Sequence, residues 1–306
     1  MRERWINLKQ WKMKLSGTLF AFPSLLLTLM FTVYPLFWVM RYMFYDYKGF
    51  GVPRFIGLDN FRTLASDQLF WHSVSNTFVY AGGKMIVTLP LSLIMAVILN
   101  QALKGRQLLR AIYFMPTIIS SSVIAVVFFI IFNSYNGILN QFLLKFHIVS
   151  KGINWLGPDY AMLTAIIIAV WGALGNYMLL FLAGLQGISN EVNESASLDG
   201  ANAIQRFWYI TIPMLGPVLQ MVIMLLIINS LKSYESIMLL TDGGPIGKTE
   251  VMFLYLYRLL FPTPSASTVL LQQIGYGSAV GFVSGLIVGA ITFGYFYLSR
   301  RLNRIY

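Results

Sequence analysis

Cysteine is absent from this chain of 306 residues, and charged side chains make up only 11% of it. Without cysteine the chain has no disulfides, no thiolate metal ligands and no cysteine nucleophile. This number of charges is far too small to cover the surface of a water-soluble globular protein of this length. The composition therefore excludes thiol chemistry and an ordinary soluble domain.

Hydrophobic residues account for 57% of the sequence, and they cluster in runs long enough to cross a bilayer core of about 30 Å. The sequence therefore predicts an all-α integral membrane protein with six transmembrane helices. The six runs cover residues 17–44, 73–100, 108–132, 161–185, 213–231 and 277–298.

The net charge of +11 comes from basic residues that lie at the chain ends and in short loops beside the apolar runs. This placement fits membrane topology better than nucleic-acid binding, which we do not expect. By the positive-inside rule the N-terminal tail, the 101–107 loop and the C-terminal tail are cytoplasmic. The longer segments 45–72, 133–160 and 232–276 then face outside.

The expected organisation is a basic cytoplasmic tail (1–16), a first helix with its external loop (17–72), a core of five helices (73–298) and a second cytoplasmic tail (299–306). The basic start resembles the first part of a signal peptide, but the apolar run that follows is too long and no small-residue cleavage site comes after it. We therefore interpret the first helix as an uncleaved anchor.

A polar segment, residues 189–213, interrupts the apolar runs on the predicted cytoplasmic side. Ser189 or Asn190 can cap a short helix, and Asp199-Gly200 can end it, because glycine readily adopts the left-handed conformation. A second short helix would begin near Ala201, before Pro213 opens the next span. One face of that second helix would carry Ala203, Ile204, Phe207 and Trp208.

Two short helices at an angle form a knob, and an aromatic face on a knob favours docking of a partner protein. The alternative is an amphipathic loop that lies on lipid headgroups. The net negative charge of the segment argues against that alternative, because an anionic leaflet repels acidic residues.

The spacing Glu194-Ser195-Ala196, Gly200 and Ile210-Thr211-Ile212-Pro213 resembles the EAA motif of the membrane permeases of ABC importers. The departures from the motif are Ser195 for alanine and Ile212 for leucine. The resemblance implies an ABC type I importer permease fold, in which this segment is the coupling helix that contacts the ATPase. The implied coupling residues are Glu194, Ala196, Asp199, Gly200, Ala201, Phe207, Ile210 and Pro213.

Other stretches, such as "FIGLDNFRTLASDQLFWHSVSNTFVY" and "GRQLLRAIYFMPTIIS", are similar to the carbohydrate-type branch of these permeases, the branch of the larger maltose-transporter membrane subunit. The resemblance implies a second homologous permease, two cytoplasmic ATPase subunits, an external sugar-binding protein and a sugar substrate. ATP and Mg²⁺ would be bound by the ATPase subunits, and this chain would hold no cofactor or metal. The implied location is the bacterial cytoplasmic membrane.

Polar residues within apolar spans are candidates for the substrate path, because membrane interiors tolerate them mainly where they face protein or water. Aromatic faces suit sugar C–H surfaces, and amides and hydroxyls suit sugar hydroxyls. Hydrogen bonding between helices is an equally good explanation for any one of them. The candidates are Trp171, Asn176, Tyr177, Asn229, Ser230 and Ser233. Lys84 and Lys232 would favour an acidic sugar, although snorkelling to the interface is the simpler interpretation.

Three further features have simpler explanations than catalysis. The "GGPIGKT" segment at 243–249 has one residue too few for a phosphate-binding loop and is expected to form an external turn. His72 and His147 have no second ligand at metal-binding spacing. Gly277, Gly281, Gly285 and Gly289 form a smooth strip for helix packing, within the chain or against a second permease.

The competing function is a self-sufficient secondary transporter driven by an ion gradient. Such proteins commonly show inverted repeats and ionisable residues near the membrane midplane. Neither an internal repeat nor a buried carboxylate pair is evident in this sequence. We therefore expect a transport subunit and not an enzyme.

Topology can be tested with single cysteines, since the natural chain has none. Cysteines at Ser16, Lys104, Asn202 and Asn303 should react with an impermeant maleimide only from the cytoplasm. Cysteines at Gly51, Lys151 and Lys248 should react only from outside. Labelling of position 202 from outside would overturn both the topology and the coupling-helix assignment.

Overall fold

A computed structural model describes residues 21–261 and 272–302 of the chain, and helices dominate these residues. The elements are α1 Ala21–Phe44, β1 Tyr45–Asp46, β2 Arg54–Phe55, α2 Asp59–Ser66, α3 Gln68–Asn100, α4 Arg106–Ile118, α5 Ser121–Ile131, α6 Ile138–Lys145, α7 Ala161–Gln186, α8 Asn190–Leu198, α9 Ala203–Met214, α10 Gly216–Leu231, α11 Glu235–Thr241, α12 Met252–Leu260 and α13 Ile274–Leu302. The all-α prediction is confirmed. The two strands form one short antiparallel pair.

The chain divides into two compact units. The first contains the described parts of Met1–Ser66 and Arg258–Val283. Within it, the Asn60 amide donates hydrogen bonds to the carbonyls of Met43 and Tyr45, at 2.9 and 3.1 Å. Gly275 of α13 packs closely against the backbone of Tyr45. A Cβ at Gly275 would lie 2.0 Å from the Tyr45 carbonyl oxygen, so this contact requires glycine. These contacts fix the end of α1 against the start of α13.

The second unit contains the described parts of Asp67–Tyr257 and Ser284–Tyr306, and α3 is its longest helix. The Asp67 carboxylate caps α3 by accepting from the backbone N–H groups of Leu69 and Phe70, at 3.0 and 3.2 Å. The helix therefore starts before residue 73, where the apolar run alone placed it. Its 33 residues reach about 50 Å, which is longer than a bilayer core is thick.

The third predicted span, 108–132, is not one straight helix. It consists of α4 and α5, which meet at an angle of 97°. Ile119 is extended, and the Ser120 hydroxyl caps α5 by accepting from the Val123 N–H at 3.3 Å. A serine cap within an apolar run therefore creates a broken span that a hydropathy pattern does not reveal.

The fifth predicted span, 213–231, is also corrected. Helix α9 runs through Pro213 to Met214, and the break comes at Leu215, where α9 and α10 meet at 71°. Pro217 then lies in the first turn of α10, a position that tolerates the missing N–H. Among the described residues, four helices are long and apolar enough to cross a membrane, or up to six if each bent pair counts as one span.

Two apolar clusters hold the second unit together. One joins α3, α7 and α10 and includes the fully buried Met178, Phe181 and Leu226. The other joins α3, α5, α7 and α11 around the fully buried Tyr80 and Ile237. Helices α3 and α7 contribute to both clusters, so together they form the centre of the unit.

Gly175 allows the close contact between α7 and α4. A Cβ at this position would lie 2.2 Å from the Tyr113 carbonyl oxygen and 2.7 Å from the Phe114 Cα. Both of these atoms belong to the backbone, so they can move only if α4 moves. Gly82 in α3 is the matched contrast, because among the described residues nothing lies within 4 Å of a Cβ built there.

We expect Gly175→Ala to destabilise the folded protein by about 1–3 kcal/mol, as overpacking does. Gly82→Ala should be neutral or slightly stabilising, because alanine favours helix where space is free. Thermal unfolding in detergent would show a lower midpoint for the first variant only. Equal midpoints for the two variants would contradict the close contact.

Candidate functional site

The segment between α7 and α10 folds into two short helices, α8 and α9, which together we call the knob. The Ser189 hydroxyl starts α8 by accepting from the Glu191 N–H at 3.2 Å, as the sequence predicts. At the other end the Gly200 N–H donates to the Ser197 carbonyl and the Ala201 N–H to the Ala196 carbonyl, at 3.2 and 2.9 Å. This pair of bonds is a Schellman motif, and it requires the positive φ of 83° that Gly200 adopts.

Helix α9 starts with a capping box. The Asn202 N–H donates to the Gln205 side chain at 2.8 Å, and the Gln205 N–H donates to the Asn202 side chain at 2.9 Å. Arg206 donates to the Ser197 hydroxyl and so connects α9 to α8. Because both helix ends and the connection between them are satisfied internally, the knob has a defined shape.

An apolar patch covers the outside of the knob. Its members are Leu198, Ile204, Trp208 and Tyr209, which are 90%, 72%, 61% and 79% exposed. Phe207 packs against the apolar cluster of α3, α7 and α10 instead, although the sequence pattern placed it on the same face as Trp208. Neighbouring residues on a helix point about 100° apart, so Phe207 can face the cluster while Trp208 faces outward.

The predicted coupling residues occupy different environments in the knob. Glu194, Asp199, Gly200 and Pro213 are exposed; Ala201, Phe207 and Ile210 are half-buried; Ala196 is buried. Leu198 and Tyr209 belong to the exposed patch and were missed by the sequence pattern. An apolar patch with carboxylates beside it has the character of a protein-docking surface.

The predicted substrate-path residues are only partly brought together. The Asn229 amide of α10 donates to the Tyr177 hydroxyl of α7 at 3.3 Å. Tyr177 is only 2% exposed, so its ring belongs to the core and its hydroxyl positions Asn229. Asn176 and Asn229 are exposed, and Ser230 is fully buried. Trp171 packs edge-on against Phe128, with ring centres 5.1 Å apart.

Ser233, another predicted substrate-path residue, lines a cavity of about 240 Å³ in the second unit. Its hydroxyl shares a hydrogen bond of 3.1 Å with the Tyr80 hydroxyl. The cavity is lined by Tyr80, Lys84, Thr117, Ile119, Ser121, Ile124, Ile168, Ala169, Gly172, Ala173, Ser233 and Ser236. Hydroxyl groups and one ammonium group provide its polarity, and a ligand with hydrogen-bonding groups suits such walls.

Potential metal ligands are not clustered in the described residues. No group of three or more His, Asp or Glu side chains within 21–261 and 272–302 is placed to hold a metal ion. The "GGPIGKT" segment forms turns, and the Asn76 amide of α3 donates to the carbonyls of Gly247 and Glu250, both at 2.9 Å. It is therefore a structural turn fastened to α3.

Comparisons with known proteins agree with this architecture. A family model described as "Binding-protein-dependent transport system inner membrane component" matches residues 88–304. The chain is 35% identical to the probable ABC transporter permease protein YesP of Bacillus subtilis, over 92% of this chain and 89% of that protein. It is 33% identical to the trehalose/maltose transport system permease protein MalF of Thermococcus litoralis, over 93% of each chain.

A solved structure has the same fold. A chain of a bacterial alginate ABC transporter, crystallised in complex with an alginate pentasaccharide-bound periplasmic protein, matches with a TM-score of 0.81. The sequences are 21% identical, and the match covers 97% of each chain. At that identity the likeness concerns the fold alone.

Proposed function

The chain belongs to the family of binding-protein-dependent transport system inner membrane components, and we propose that its cargo as an ABC importer permease is a sugar or oligosaccharide. The family consists of transport components, and the apolar helices make this chain a multi-pass membrane protein. The proposed cargo follows from the relatives: one is named for trehalose and maltose, and the solved neighbour transports alginate.

The knob is the observation that best supports a role as a subunit rather than as a complete transporter. Its patch of Leu198, Ile204, Trp208 and Tyr209 stays 61–90% exposed within the described part of the chain. Side-chain hydrogen bonds cap the starts of α8 and α9, so the residues of the patch are held on ordered helices. We assign it to contact with a cytoplasmic ATPase subunit, with Glu194 and Asp199 at its margin.

A second permease subunit is the proposed partner within the membrane. Among the described residues, nothing lies within 4 Å of a Cβ built at Gly285 or Gly289 of α13. No described residue therefore packs closely on this part of the glycine strip, whereas Gly277 packs against Leu260 in the first unit. A smooth helix face in a membrane suits close approach of another helix.

The proposed arrangement places both termini in the cytoplasm of a bacterium, with the tails 1–16 and 299–306 inside and an external sugar-binding protein outside. ATP and Mg²⁺ would be bound by the ATPase subunits. Closure of those subunits would move the knob, and the bend at Leu215 would pass that movement to α10.

The proposed substrate path would be lined by Asn176, Asn229 and Ser233, with Trp171 and Ser230 nearby.

Reconstitution in proteoliposomes with the partner permease, the ATPases and the binding protein tests the proposed function. We expect sugar uptake only with ATP. Gly200→Val should strain the positive φ, and Glu194→Lys should reverse a charge beside the patch, so both should reduce ATPase co-purification and uptake severalfold. Glu235→Lys, an exposed charge reversal at the start of α11, is the matched control.

Normal ATPase co-purification and uptake by both knob variants would show that another surface couples to the ATPase. Sugar uptake by this chain without ATPase subunits would favour the ion-driven transporter instead.

The proposed substrate path predicts a graded loss of transport. Each of Asn176→Ala, Asn229→Ala and Ser233→Ala should remove one sugar hydrogen bond, which corresponds to about 0.5–1.5 kcal/mol. Single variants should lower the uptake rate modestly, and the triple variant should lower it much more. Sugar affinity of the separate binding protein should stay constant, which provides the control. A triple variant that assembles and imports at the normal rate would refute the assignment.

A further inference from the structure

Lys84 is a buried cation near the middle of α3, and it lines the cavity of about 240 Å³. Its side chain is only 8% exposed, in contrast to the exposed Lys232. Among the described residues it has no hydrogen-bond or salt-bridge partner. This burial within the protein does not fit the interpretation that the lysine snorkels to the interface. Lys84 instead contributes to the wall of the cavity.

A lone ammonium group is costly at this position. Burial removes most of its hydration, and an ionised side chain in a membrane span is stable mainly when it faces a polar path or an opposite charge. No Asp or Glu contributes to the lining of the cavity. Glu235 precedes the lining residue Ser236, but it is exposed and forms no ion pair with Lys84 in the described structure. The described residues therefore supply no counter-ion for Lys84, and a bound anion would provide one.

The other polar groups of the cavity suit a sugar. Hydroxyls of Tyr80, Thr117, Ser121, Ser233 and Ser236 line it. The Thr117 Oγ1 atom is buried and has no hydrogen-bond partner among the described residues. A buried hydroxyl without a partner is unfavourable, so a ligand hydroxyl that bonds to it would gain affinity.

The size and the walls of the cavity restrict the ligand further. Its volume lies below the range of about 300–1,000 Å³ typical of pockets for drug-sized ligands, so it has room for one sugar unit and not for a long oligosaccharide. Ile119, Ile124 and Ile168 supply apolar walls, which suit the C–H surfaces of a pyranose ring. Gly172 adds no side chain between them.

We propose that this cavity receives a sugar unit that carries a carboxylate, such as a uronic acid, and that Lys84 selects for its charge. The inference rests on the proposed function and adds a substrate class to it. The Lys84 ammonium donates to the carboxylate oxygens, and the Thr117 hydroxyl bonds to a sugar hydroxyl. Ser233 belongs both to this cavity and to the proposed substrate path, so the unit would bind along the route of transport.

The test uses the purified transporter complex with two probes. One is digalacturonate, and the other is its dimethyl ester, which has the same sugar rings but no charge. Binding of each probe is measured by calorimetry in wild type, Lys84→Met, Thr117→Val and the control Lys232→Met. We expect wild type to prefer the acid by about tenfold or more, because hydrogen bonds to charged groups are the stronger ones.

The variants separate charge from hydrogen bonding. Lys84→Met should abolish the preference and leave ester binding unchanged. The variant should remain folded, because it replaces a lone buried charge by an apolar side chain of similar length. Thr117→Val should weaken both probes by a similar severalfold factor, and Lys232→Met should change neither. Lys84→Arg keeps the charge and should retain a preference for the acid.

Two results would overturn the inference. One is equal affinity of wild type for acid and ester, and the other is a preference that persists in Lys84→Met. A loss of ATP-driven uptake of acidic and neutral sugars alike in Lys84→Met would also overturn it, and would make Lys84 a structural or gating residue. ATP-dependent import of a neutral sugar by a wild-type complex that neither binds nor imports the acid would refute this inference and leave the proposed function intact.

Discussion

The constraint behind this architecture is that a backbone N–H or C=O group in lipid must find its partner within the protein. Continuous helices such as α3 and α7 meet the constraint along their whole length. The breaks need additional partners, and the structure supplies them locally. Within an apolar run, the Ser120 hydroxyl caps α5. In the polar knob, the Ser189 hydroxyl starts α8 and the bonds around Gly200 close it. The bend at Leu215 has no side-chain cap and is bridged by backbone bonds, such as that from the Leu215 N–H to the Thr211 carbonyl at 3.0 Å.

The same constraint explains which features the sequence could predict. Length and apolarity identify helices, so the all-α class and the number of apolar runs follow directly from the sequence. Caps were predicted where the surroundings are polar, as at Ser189 and Gly200. At Ser120 the cap lies inside an apolar run, so hydropathy averages over it and the break is hidden. The prediction at Pro213 was wrong for a different reason, because α9 passes through this proline and ends at Met214, three residues before Pro217 in the first turn of α10.

The candidate site was less predictable than the fold, because burial and contacts between helices decide it. The residue type of Tyr177 suggested a sugar-stacking ring, but the ring is in the core and only its hydroxyl reaches Asn229. Phe207 packs on the core cluster while its neighbour Trp208 is exposed, so burial divides two residues that the sequence pattern put on one face. Lys84 illustrates the same point, since only the fold shows that this buried residue lines a cavity with several hydroxyl-bearing residues.

Helix α7 connects the two parts of the candidate site physically. Its middle lines the cavity through Ile168 and Gly172, and its end leads directly to the cap of α8 at Ser189. Near that end Gly184 permits close contact with α10 and the bend, since a Cβ there would lie 2.8 Å from Val218 and 2.9 Å from Leu215. A side chain at Gly184 would force these groups apart. The cavity wall, the bend and the knob are therefore joined through one continuous helix of 26 residues, which is about 39 Å long.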